Sequence, residues 1–128
     1  MKALVFHICD YTFAVNLNDV FKIIEKSESQ NNNGLIQYKE YSFLDFTSKF
    51  KEIIELSYNG GLYILFANDE NQAALLVETT EGIFELDSTD IYPLSENLYR
   101  DRKLLFKYYY YDARKKFGAL MLDFLQFL

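Results

Sequence analysis

Along most of this 128-residue chain, apolar residues alternate with polar ones in short runs, a period of two that predicts strands. Leu4 to Ile8 and Thr12 to Val15 form a first hairpin through Cys9-Asp10-Tyr11, with Leu4, Phe6 and Ile8 on one face. Asn16 can cap a short helical turn that reaches Asp19. Phe21-Lys22-Ile23-Ile24 fits either a continued helix, on Leu17, Val20, Phe21 and Ile24, or a strand, because so short an apolar run satisfies both periods. Ser27 to Gly34 (SESQNNNG) reads as a polar loop. Leu35 to Phe46 predicts a second hairpin, and Asp45 is placed to cap a helix with Phe46, Phe50, Ile53 and Ile54 on one face. After Asn59-Gly60-Gly61 comes a third hairpin, Leu62 to Ala67 and Ala73 to Val77, about the turn Asn68 to Asn71. Ile83 to Leu86 is one more strand before an Asp-Ser-Thr-Asp turn. The last hairpin is Leu104 to Tyr111 with Phe117 to Leu122, and Asp123 can cap a closing helical turn.

Strands dominate, and several are apolar on both faces. That suits closed barrels with a second buried surface better than a sheet with one wet side. A short internal echo points to two such units: Phe43-Leu44-Asp45-Phe46, with Phe50 four residues on, matches Met121-Leu122-Asp123-Phe124, with Leu128 four residues on.

Composition narrows the function. Half the residues are hydrophobic and 18% are aromatic, so the chain can bury a core without crosslinks or a structural metal. The single Cys9 has no partner within the chain for a disulfide, and no charged segment followed by an uncharged apolar run reads as a signal peptide. A reducing, cytoplasmic setting is expected. No apolar stretch approaches the roughly 20 residues of a membrane-spanning helix, so no direct membrane insertion is expected. A net charge of -6 disfavours a general nucleic-acid partner, whose affinity comes from cations displacing counterions. The charge is uneven: residues 1–99 hold 6 basic and 16 acidic side chains, residues 100–128 hold 7 and 3. A basic patch on an acidic body can orient a charged partner.

Candidate chemistry is sparse. His7 lies mid-strand with no partner motif, one His and one Cys do not make a zinc site, and none of the five glycines falls in a phosphate-binding loop. The carboxylates Glu78, Glu81, Glu85, Asp87 and Asp90 match no calcium loop and read as a solvated face. No catalytic residue, metal or cofactor is expected. The most suggestive local feature is Tyr108, Tyr109, Tyr110 and Tyr111 beside Lys107 and Arg114-Lys115-Lys116. In a strand, alternate rings leave the core, and exposed Tyr beside Arg or Lys suits a protein interface or a single-stranded nucleic-acid platform as well as ordinary cross-strand packing.

In order and spacing, these segments resemble one family, the CheW-like adaptor domains of bacterial chemotaxis. Leu4-Val5-Phe6 with Phe13-Ala14-Val15 is similar to the family's opening hairpin. Gly34-Leu35-Ile36-Gln37-Tyr38-Lys39 resembles its G-V-x-N-L-R strand, and Tyr41 to Phe50 its V-P-V-I-D-L-R-x-K-F. Val77 to Pro93 resembles V-D-x-V-x-x-V-x-x-L-x-x-x-x-I-x-P, and Ala119 to Leu128 its terminal strand and helix. The resemblance implies a mainly β fold, with residues 1–128 as one domain of two small SH3-like, five-stranded β-barrel subdomains with short helices. It implies a non-enzymatic adaptor or scaffold coupling a CheA-type histidine kinase to the cytoplasmic tip of a chemoreceptor, with Leu17, Val20, Lys22, Gln37 and Lys39 toward the receptor. Three of these depart from the family pattern. Gln37 and Lys39 stand for Asn and Arg, and Lys22 for Glu; an ammonium in place of a carboxylate reverses any ion pair, and Lys lacks the Arg fork. The alternatives are an accessory regulator that keeps the kinase and not the receptor, and an oligonucleotide-binding barrel using Tyr108 to Tyr111 with Arg114 to Lys116.

Overall fold

The computed structural model describes residues 1–94 and 106–123. Among these residues, twelve strands form two six-stranded sheets with one α-helix packed on them, and the fold is the mainly β, two-barrel class that the resemblance implies. In chain order the elements are β1 (Lys2–Ile8), β2 (Tyr11–Asn16), β3 (Val20–Glu25), β4 (Gln30–Asn32), β5 (Leu35–Tyr38), β6 (Tyr41–Asp45), α1 (Thr47–Ile54), β7 (Leu62–Ala67), β8 (Gln72–Val77), β9 (Thr79–Glu85), β10 (Ile91–Pro93), β11 (Tyr108–Asp112) and β12 (Phe117–Met121). The first barrel has the order β10-β11-β12-β2-β1-β9 and the second β3-β7-β8-β6-β5-β4. In each, the two outermost strands are chain neighbours joined by a 3-10 turn, Lys26–Glu28 between β3 and β4 and Ser88–Asp90 between β9 and β10. Those short links draw the sheet edges toward each other and curl each sheet into a barrel.

Each sheet has six strands rather than five because a short edge strand is added, β4 in one and β10 in the other. Residues Gln30–Asn32 lie in what the sequence suggests is a loop. They carry no apolar signal and are wholly exposed, and their strand character comes from pairing with β5, Gln30 opposite Gln37 and Asn32 opposite Leu35. The connecting turn is Asn33-Gly34, with φ of 54° and 83°, the two left-handed residues of a tight hairpin turn. Phe21–Ile24 settles as strand because β3 pairs with β7 over most of its length. The start of the last hairpin (Leu104 and Leu105) and any helical turn after Asp123 lie outside the described residues.

Alternation divides the apolar side chains among three cores. Ile24, Ile36, Tyr38, Phe43, Tyr63 and Leu65 fill the second barrel. Ala3, Val5, Ala14, Leu86, Tyr110 and Ala119 fill the first. The opposite faces of β1, β2, β7 and β8 meet between the barrels, where Leu4, Phe6, Phe13, Phe50, Phe66 and Leu75 form the largest cluster. Each fully buried ring or branched chain there contributes about 1.5–3 kcal/mol. Helix α1 lays Phe50 and Ile53 into this shared core, and Asp45 Oδ1 accepts the Thr47 amide at 3.0 Å at its start. The α1 segment also completes the edge of β8. Thr47 Oγ1 accepts the Leu76 amide at 2.9 Å, and Tyr58 Oη donates to the Leu76 carbonyl at 2.7 Å. Burial pushes the Tyr58 phenol well above the ordinary tyrosine range.

The two barrels repeat one another strand for strand. In both, the sheet closes through a parallel pair, β6 with β8 and β12 with β2. Phe46 donates its amide to the Ala74 carbonyl and Leu122 donates to Ala14, at 2.9 and 2.8 Å, so Phe46 and Leu122 are equivalent. The echo in the sequence, which sets Phe43 against Met121, is therefore two residues out of register with the structural repeat.

Candidate functional site at the mouth of the second barrel

β3 carries a bulge between Val20 and Lys22, where Val20 opposes Phe66 and Lys22 opposes Leu65. The extra residue sends two side chains that would otherwise share a face to opposite ones. Val20 packs with Leu17 against the core between the barrels, whereas Lys22 turns to the open end of the second barrel. There Lys22 Nζ donates to Tyr38 Oη at 2.8 Å and lies 5.3 Å from the centre of that ring. Lys39 Nζ lies 5.3 Å from the same ring centre. Since β3 and β5 are not hydrogen-bonded neighbours in the sheet, the Lys22–Tyr38 contact reaches across the barrel.

Gln37 faces away from this cluster but braces it. Its Nε2 donates to the Lys39 carbonyl at 2.9 Å, and its Oε1 accepts from Ser42 Oγ at 2.6 Å. Those bonds hold Lys39 in a left-handed turn conformation, φ 54°. Of the receptor-type residues named from sequence, then, the fold gathers Lys22 and Lys39 about Tyr38, leaves Gln37 on the other face as a brace for the turn, and sends Leu17 and Val20 to the inter-barrel core.

The hydrogen bond from Lys22 lowers the Tyr38 pKa below the ordinary tyrosine range, with Lys39 adding to the effect. The same bond raises that of Lys22, with a smaller contribution from Glu28. Two rings that sequence reasoning did not single out adjoin these residues along the backbone, Phe21 before Lys22 and Tyr41 paired with Tyr38. Phe21, the bulged residue, is 45% exposed and stands 5.0 Å from Tyr41, itself 37% exposed, and 5.7 Å from the buried Phe43. The signal in the sequence was the run Tyr38-Lys39-Glu40-Tyr41 opposite Phe21-Lys22, but it becomes meaningful only once the barrel brings β3 over the β5–β6 turn.

The tyrosine strand behaves differently. Tyr110 points into the first barrel and is buried, while Tyr109 and Tyr111 face outward and Tyr108 is exposed at the strand's end. Tyr109 stacks on Tyr92 of β10 at 5.3 Å. Tyr111 lies opposite Gly118, and its ring covers the space a side chain would take there. Arg114 is spent on its own turn: its amide and its Nε approach Asp112 Oδ1, at 2.9 and 3.7 Å. Near the outer face, Tyr11, Phe13, Ile54, Leu56, Phe106 and Leu120 border an apolar cavity of about 270 Å³ at the junction of the barrels.

The acidic run is taken up locally. Glu78 accepts the Cys9 amide, Glu81 meets His7 Nε2 at 2.8 Å, and Asp87 caps the 3-10 turn through Thr89. Among the described residues, no three His, Cys, Asp or Glu side chains gather as a metal set, and no helix is long and apolar enough to cross a membrane.

Two curled six-stranded sheets sharing one apolar seam define a CheW-like fold. A solved structure shows it directly: the chain is similar to the scaffolding protein TtCheW from Thermoanaerobacter tengcongensis, with a TM-score of 0.74 over 97% of this chain and 90% of that one, at 13% identity. No family model matches the sequence, and no curated protein matches it.

Proposed function

We propose that this chain is a non-enzymatic adaptor of chemotaxis-type signal transduction, acting in the cytoplasm, that couples a CheA-type histidine kinase to the cytoplasmic tip of a chemoreceptor. The observation that carries this reading is the likeness to a scaffolding protein over nearly the whole of both chains. Each barrel also offers exposed rings suited to a protein partner, Phe21 and Tyr41 on one and Tyr92, Tyr109 and Tyr111 on the other. The receptor-type positions are Leu17, Val20, Lys22, Gln37 and Lys39; the aromatic and basic strand is Tyr108, Tyr109, Tyr110, Tyr111 and Arg114, of which Tyr110 serves the core.

Pull-down by the tagged chain, with a CheA-type kinase and a receptor cytoplasmic fragment offered separately, tests the proposal. Capture of both is expected, and capture of neither would contradict it. A second reading, an accessory regulator that binds the kinase alone, is favoured by the two ammonium groups where the family resemblance implies a carboxylate and an arginine. Capture of the kinase without the receptor would select it.

A further inference from the structure

The cations at the mouth of the second barrel are unusual in what they lack. Neither Lys22 nor Lys39 enters any of the ion pairs found among the described residues, and what they share is the ring of Tyr38. Glu28, the carboxylate whose charge reaches Lys22, accepts the Glu25 amide at 3.0 Å within its own turn. The equivalent point of the first barrel is arranged otherwise. Register places Asp112 where Tyr38 stands and Gly82 where Lys22 stands, and there the nearby cation, Arg114, has its own carboxylate. At the first barrel's turn a carboxylate, Asp112, takes the place of the phenol, whereas the second holds two ammonium groups each 5.3 Å from the centre of one ring, with exposed Phe21 next to Lys22 in the chain and Tyr41 paired across the strands with Tyr38.

We infer that the mouth of the second barrel receives a carboxylate side chain of a partner protein between Lys22 Nζ and Lys39 Nζ, with an apolar side chain of the same segment against Phe21 and Tyr41. This deepens the docking reading above by naming the chemistry that the partner must bring. Charge complementarity selects the occupant. Two ammonium groups converging on one ring are point charges suited to a single compact anion. The rings supply the contact area that a lone carboxylate lacks. A polyanion such as a nucleic acid is disfavoured because the chain carries a net charge of -6, and an extended phosphate backbone would run past Glu25, Glu28 and Glu40. A single carboxylate held in contact is governed by its neighbours, since charges beyond a Debye length of about 8 Å are largely screened.

The test uses the full chain, isotope-labelled and observed by NMR, and needs neither the kinase nor the receptor, so its outcome is separate from that of the pull-down. The probes are the capped peptide acetyl-Gly-Leu-Glu-Leu-Gly-amide and its counterpart with Gln in place of Glu. The Glu peptide is expected to shift the Lys22 and Lys39 side-chain signals and to bind about tenfold more tightly than the Gln peptide. Lys22→Met and Lys39→Met should each shrink that ratio, and together they should erase it. Both side chains are exposed, and the amide spectrum reports whether each variant folds; if one does not, the other reads the same ratio. Equal affinity for the two peptides, or shifts that map away from the barrel mouth, would each overturn the assignment.

Discussion

The two barrels share a strand order and even a bulge position, yet they fill their interiors by opposite choices. In the second barrel, Ile36 faces Phe43 across β5 and β6; at the equivalent place in the first, Tyr110 faces Ala119. In the second, Ile24 faces Tyr63; in the first, Phe84 faces Ala3. Each cross-strand pair holds one ring, but in the first barrel the partner is alanine and in the second isoleucine. In both pairs the ring has also moved to the other strand. Interiors are constrained by total volume and shape more than by which strand supplies the bulk. The same contrast extends to the mouths, where a Lys-Tyr-Lys cluster stands in one barrel and an Asp-capped turn in the other.

The sharpest way to break this comparison is to move one barrel's choice into the other. Phe43→Ala removes a fully buried ring and should cost about 3–5 kcal/mol in urea unfolding. Adding Ile36→Tyr recreates the Tyr110–Ala119 pairing, and the double variant should recover a measurable part of that loss; a cost that merely adds would show that the exchange carries no meaning.

A somewhat smaller effect is expected at Gly60, where a methyl group would meet the Val77 carbonyl oxygen at 2.3 Å. Gly60→Ala should lower stability by about 1–3 kcal/mol, because the obstacle is backbone. Tyr58→Phe leaves the Leu76 carbonyl without its side-chain donor in a buried place, and thermal or urea unfolding should register about 1–3 kcal/mol. Both substitutions probe the segment from α1 to β7, which closes the second barrel's β8 edge with side chains.

The smallest effect concerns the mouth. Lys22 stabilises the ionised phenol, so Tyr38 loses its proton at a lower pH in the folded chain than in the unfolded one. The resulting stability is fully present above the ordinary tyrosine pKa and is lost as pH falls through the lowered value. Lys22, whose own pKa is raised, withdraws its share once pH climbs past that value. In Lys22→Met, the Tyr38 ring-carbon titration should move upward toward the ordinary range; an unchanged midpoint would contradict Lys22 as the cause of the shift.

Much of this architecture is legible in the sequence because alternation is a local signal. The hairpins at Leu4–Val15, Leu35–Phe46 and Leu62–Val77 stand where the pattern places them, and so does the buried face of α1. What the sequence hides is what depends on distant pairing. β4 is polar and exposed throughout, so only its bonds to β5 make it a strand. The repeat is masked because Ile36 and Phe43 became Tyr110 and Ala119, leaving an echo two residues out of register. The bulge after Val20 parts that residue from Lys22, and no pattern along the chain announces that Lys22 will reach Tyr38 across the barrel.

An adaptor of paired barrels that joins two signalling proteins is tested most directly by assembling the three components. Light scattering on a column eluate should show the CheA-type kinase and the receptor fragment travelling in one complex only when this chain is added, at a mass that includes all three. Co-elution of kinase and receptor to the same extent without the chain, or a chain that travels alone in every mixture, would contradict it.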